Sequence, residues 1–153
     1  MTSSTDRIEK TVLLKAPLAR VWRALSDAAE FGSWFGVAFD NGRFEAGQRV
    51  QGKITYPGYE HVVFDVTVER IEPERLLSFR WHPYAVDPAV DYSAEPTTLV
   101  VFELEVVDGG TLLRVVESGF DALPSTRARE AFPMNTRGWE EQLRNIARHV
   151  GSA

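Results

Sequence analysis

The sequence predicts an α+β domain in which a curved antiparallel sheet wraps round a C-terminal helix, with two short helices after the first strand. Three observations carry this. Strand-like runs follow one another from residue 48 to residue 119 with only turns and one loop between them, and strands joined without intervening helices pair antiparallel. Helical periodicity is confined to the segment after the first strand and to the end of the chain. There Trp139, Leu143, Ile146 and Val150 fall at helical steps and form one apolar stripe to lay against a sheet.

Taken in order, residues 1–7 are polar and read as a disordered tail ahead of a single domain over 8–150. Ile8-Glu9-Lys10-Thr11-Val12-Leu13-Leu14 is rich in β-branched residues and opens the sheet. Ala16-Pro17 stops that strand, and Pro17 suits the first turn of a helix. Leu18, Val21, Trp22 and Leu25 make one apolar helix face. Ser26-Asp27 caps a second short helix that runs to Phe31 and ends at Gly32. Asp40-Asn41-Gly42 is a tight-turn signal. Strands then cover 48–56, 61–71, 75–82, 97–107 and 111–119, and Asp108-Gly109-Gly110 turns the last hairpin. Residues 84–96 hold two prolines and three acids without periodicity and read as a loop. Pro124-Ser125 opens a helical segment, and Pro133 is expected to break or kink it.

Composition excludes several functions. A formal net charge of −5, with Lys and Arg scattered singly, gives no basic patch for nucleic acid. The absence of cysteine removes disulfides, thiolate metal sites and a thiol nucleophile, and fits a cytoplasmic setting. No apolar run approaches the roughly 20 residues that span a bilayer, so membrane insertion is not expected. His61, His82 and His149 lie on separate elements without ligand spacing, so neither a metal nor another cofactor is expected. No nucleophile elbow or phosphate loop is present either.

Alternation assigns the sheet's faces. Phe64 sits with Val62, Val66 and Val68; Phe79 and Trp81 with Leu77; and Phe102 with Val100, Leu104 and Val106. In the last strand Leu113 and Val115 share their face with Glu117, which would point that carboxylate inward. A buried carboxylate must find partners or stay protonated, so Glu117 is a candidate polar anchor or proton shuttle, unless an ion pair or a bulge accounts for it. Large aromatics on a concave face fit both a packed core and the wall of a small-molecule pocket.

Several stretches together resemble one family. They are Ala16-Pro17 with Val21-Trp22-Arg23-Ala24-Leu25-Ser26-Asp27, then Trp34-Phe35-Gly36 and Gly42-Arg43-Phe44. Further along come Ile71-Glu72-Pro73, Leu76-Leu77-Ser78-Phe79-Arg80-Trp81, Glu117-Ser118-Gly119-Phe120 and Gly138-Trp139. Their order, from Ile8 to Val150, is similar to that of the bacterial activator-of-Hsp90-ATPase-like family of the START/Bet v 1-like (SRPBCC) superfamily. The resemblance implies a helix-grip fold with a cavity for lipid-, polyketide- or flavonoid-like molecules. It implies no catalytic signature, because such scaffolds host many functions.

The expectation is a domain that binds a small apolar or aromatic molecule between sheet and C-terminal helix. Candidate lining residues are Trp34, Phe35, Phe64, Phe79, Trp81, Phe102, Phe120, Phe132, Met134 and Trp139, with Glu117 as the polar contact. Two alternatives stay open. One is a polyketide-cyclase-type enzyme using Glu117 or His82, and the other is a ligand-free module that accompanies a chaperone. Oligomeric state is not legible.

Overall fold

The computed structural model describes residues 6–39, 44–87 and 89–151. The turn expected at Asp40-Asn41-Gly42 and most of the N-terminal tail lie outside them. Strand β1 (Arg7–Leu14) begins one residue before the expected boundary. Helices α1 (Leu18–Ser26) and α2 (Ala28–Phe35) follow. Then come β2 (Val37–Phe39), β3 (Arg49–Ile54), β4 (Val63–Glu72), β5 (Leu76–Trp81), β6 (Thr98–Val107) and β7 (Gly110–Ser118). A 3-10 turn over Phe120–Ala122 leads into α3 (Ser125–Gly151).

The seven strands form one curved antiparallel sheet in the order β1-β7-β6-β5-β4-β3-β2. Consecutive strands from β2 to β7 are neighbours, as hairpin connections require, and β1 closes on β7 from Arg7↔Ser118 to Leu14↔Thr111. The inner face matches the alternation. Phe64, Val66, Val68, Leu77, Phe79, Val100, Phe102, Leu113, Val115 and Glu117 are all buried. Val106, at 67% exposed, departs from the pattern. On α3 the expected stripe Trp139, Leu143, Ile146, Val150 is buried against that face.

Two helix boundaries differ from expectation. Helix α2 does not stop at Gly32; it continues to Phe35 and ends at Gly36, whose φ of +95° supplies the left-handed cap. Gly32 serves close approach instead: a Cβ there would lie 2.1 Å from the carbonyl oxygen of Val37, so β2 passes directly over it. Asp27 does cap α2, accepting from the Glu30 N–H at 3.0 Å. Pro133 does not divide the C-terminal helix. It is exposed inside a single helix of 27 residues, which tolerates one missing backbone donor on its solvent side. None of the helices among the described residues is long and apolar enough to cross a membrane.

Candidate functional site

A cleft of about 670 Å³ opens between the sheet and α3. Its floor is aromatic. Trp81 at the end of β5, Trp139 on α3, Phe35 on α2 and Phe64 on β4 face one another with ring centroids between 5.4 and 6.2 Å apart. Such edge-on and tilted packing is what ring quadrupoles favour.

The cleft owes its opening to a parting of the sheet. The β4–β5 ladder runs from Glu72↔Leu76 only as far as Thr67↔Arg80, with a register shift between Val68 and Arg70. Beyond that point β4 pairs with β3 alone and β5 with β6 alone. Phe64 and Trp81 therefore flank a gap, and the cleft continues through it to Arg49, Gln51 and Asp65 on the other face. Asp65 takes two hydrogen bonds from Arg49, at 3.0 and 2.7 Å, and these hold its carboxyl below the usual carboxylate range.

Two connections roof the gap. From the β3–β4 turn come Tyr56, Tyr59 and His61; from loop 84–96 come Tyr84, Val86, Asp91 and Tyr92. They meet where His61 Nε2 lies 3.1 Å from the Val86 carbonyl oxygen. Tyr84 holds a left-handed φ of +49°, rare for a bulky residue, and burial, with Tyr59 beside it, pushes its phenol up in pKa. Arg127 of α3 ties the loop down. It donates to Glu95 at 2.9 Å and to the Pro83 carbonyl at 2.7 Å, and its guanidinium lies 4.6 Å from the Tyr92 ring centre. The loop is thus anchored on the helix that forms the opposite wall.

Glu117 lies beneath the floor, fully buried, and does not line the cleft. Its partners are neutral donors rather than a cation. Trp81 Nε1 and Trp139 Nε1 each donate at 2.8 Å, one to each carboxylate oxygen. Thr98 Oγ1 lies 2.5 Å from Oε2, and Asn135 Nδ2 reaches Oε1 and Oε2 at 3.0 and 3.2 Å. Among the described residues no cation pairs with this buried carboxylate, and hydrogen bonds satisfy it. It locks both floor indoles in place.

Among the expected lining residues, Phe35, Phe64, Trp81, Met134 and Trp139 come together round the cleft. Trp34 is buried in the core, its indole donating to the Ala24 carbonyl at 2.8 Å. Phe79 and Phe102 are buried deeper under the sheet, 5.9 Å apart. Phe120 and Phe132 pack edge-on against each other at 5.1 Å, away from the cleft. His82 lines the cleft with Nε2 3.1 Å from the Glu95 carbonyl oxygen. His61, included in the strand expected over 61–71, precedes β4 and joins the roof instead. The tyrosines and Asn135 were not among the expected contacts. The tyrosines lie in loops where no alternation marks their direction, and Asn135 looks like any polar helix residue until Glu117 is placed beside it.

The comparisons agree with this architecture. The model of the family described as "Activator of Hsp90 ATPase homolog 1-like protein" matches residues 15–151. No curated protein matches the sequence. Protein MLL2253 from Mesorhizobium loti is 24% identical, with a TM-score of 0.73 over 96% of this chain and 98% of its own. The Aha1 dimer from Colwellia psychrerythraea is 16% identical, with a TM-score of 0.68 over 94% and 95% of the two chains. DynU16, from the dynemicin biosynthetic locus, is 23% identical with a TM-score of 0.72; the match covers 95% of this chain but 47% of DynU16. These likenesses establish the shared helix-grip fold. With the family model matched over nearly its whole length, the chain belongs to the activator of Hsp90 ATPase homolog 1-like family within the START/Bet v 1-like superfamily.

Proposed function

We propose that this protein binds a small hydrophobic or aromatic molecule in the cleft between the sheet and α3. The observation that carries the reading is the cleft itself: about 670 Å³, floored by two tryptophans and two phenylalanines, with polar and charged side chains round its roof and rim. That volume and lining are usual for small-molecule sites, and a flat aromatic ring can stack on an indole floor. The setting is a cytoplasmic one on this reading, consistent with the absence of cysteine. A cyclase-type reaction run by Glu117 is disfavoured, because Glu117 is sealed under the indoles and does not line the cleft, which leaves His82 as the lining candidate for that alternative.

The test is a titration of a hydroxyflavone followed by tryptophan fluorescence, in the wild type and in Gly138→Phe. Gly138 lines the cleft from α3, and a Cβ added there meets no atom within 4 Å. The Cβ starts in open space on the cleft side, and replacing a mid-helix glycine improves helix propensity. The wild type should show a saturable response and Gly138→Phe none, with the variant's melting temperature equal or higher. A flat wild-type titration, or equal binding by Gly138→Phe, would remove the cleft as the site.

A further inference from the structure

Asn135, like Trp81 and Trp139, touches both the sealed polar cluster and the cleft, and it is the one of the three with a second polar atom beyond the group it gives to Glu117. Its Nδ2 donates to both oxygens of Glu117, and the residue also lines the cleft one helical turn before Trp139. An Asn amide has two faces, a donor NH2 and an acceptor oxygen, and only its hydrogen-bond network decides which way it points. Here the network decides. Turning the amide over would set its oxygen against two carboxylate oxygens, acceptor against acceptor. The donor face is therefore committed to Glu117. Among the described residues nothing hydrogen-bonds to Asn135 Oδ1, and that oxygen is not among the sealed, unpartnered polar atoms, so it remains open to a donor.

The indoles cannot supply such an acceptor. Trp81 and Trp139 spend their only polar hydrogens on Glu117, so they offer the cleft nothing but ring faces and edges. Of the three side chains that join Glu117 to the cleft, only Asn135 thus offers a ligand a hydrogen-bond acceptor. We infer that Asn135 Oδ1 is the specificity-determining acceptor of the site, oriented by the buried Glu117, and that the ligand is an aromatic molecule carrying an O–H or N–H donor. Glu117 is a positioning residue in this scheme and Asn135 the contact.

The inference rests on the cleft being the binding site, and the experiment separates the two. Wild type, Asn135→Leu and Asn135→Asp are titrated with 2-naphthol and with 2-methoxynaphthalene, which share a ring system and differ in the donor. The wild type should prefer 2-naphthol by roughly three- to tenfold, the range of one neutral hydrogen bond. Asn135→Leu keeps an apolar wall but removes the acceptor, so it should bind both compounds with no preference. Asn135→Asp places a second carboxylate against Glu117 and should lose stability, which guards against reading a general packing defect as lost recognition. A wild type that binds both equally, or a preference that survives in Asn135→Leu, overturns the assignment of Asn135 while leaving the cleft standing. Binding of neither compound by the wild type overturns the cleft reading and this inference together.

Discussion

Glu117 shows how a single residue joins the sheet to the helix. Four side chains from β5, β6 and α3 converge on its two oxygens, so the carboxylate sets where both floor indoles sit. Glu117→Gln replaces one oxygen by an NH2 group, and one indole N–H then faces another donor. Leaving a buried donor unpaired costs about 1–3 kcal/mol, so the urea midpoint should fall by a corresponding amount. An unchanged midpoint would mean that these contacts add nothing to stability. Its burial was legible in the sequence, since Glu117 alternates with Leu113 and Val115, both buried. Its partners were not. They lie 36, 19, 18 and 22 residues away along the chain, and no local pattern relates them.

At the level of elements, the three helices are joined through Glu30. Its carboxylate takes hydrogen bonds from Arg20 and Arg23 of α1, both at 2.6 Å, and lies 3.0 Å from His149 Nε2 near the end of α3. Burial works to raise the pKa of Glu30, but these three partners outweigh it and hold the group below its ordinary value. A group whose folded pKa is depressed stabilises the fold above its unfolded pKa, and that share is lost as pH falls through the folded value. Glu30→Gln should therefore be less stable than wild type at neutral pH, and the gap should close on acidification below the ordinary glutamate range. Urea midpoints measured across that range check this, and a gap independent of pH would contradict it.

Pro133 tests the continuity of α3 in the same way. It is exposed inside the helix, and a proline there costs up to about 3 kcal/mol relative to alanine. Pro133→Ala should raise stability by less than that, because the unfolded chain also gains freedom. A drop in melting temperature would show that the proline supports a bend the fold requires. The stop expected at Gly32 and the break expected at Pro133 fail for one physical reason. Gly32 and Pro133 are breakers by local propensity, and tertiary contacts decide otherwise: β2 packs over the first, and the buried stripe from Trp139 to Val150 carries the helix containing the second.

Across the whole molecule, periodicity recovered the sheet and its inner face, because an alternating strand has only two faces and one must be covered. It could not say which inward aromatics line a cavity. Phe64 and Phe79 alternate alike, yet only Phe64 reaches the cleft, since the β4–β5 ladder parts at its end of the strand. Phe102 and Phe120 pack where the core is closed. The cleft is a product of where two strands separate and where two loops meet above them, and both depend on contacts distant in sequence.

The indole N–H resonances of the four tryptophans test the central claim most directly. Two of the rings, Trp81 and Trp139, border the cleft; Trp34 is sealed in the core and Trp22 lies on α1. On titration with a hydroxyflavone, the indole signals of Trp81 and Trp139 should shift together to saturation at one affinity, while those of Trp22 and Trp34 move little. Saturable shifts centred on Trp22 or Trp34, or no saturable shift at any indole, would contradict a ligand site between the sheet and α3.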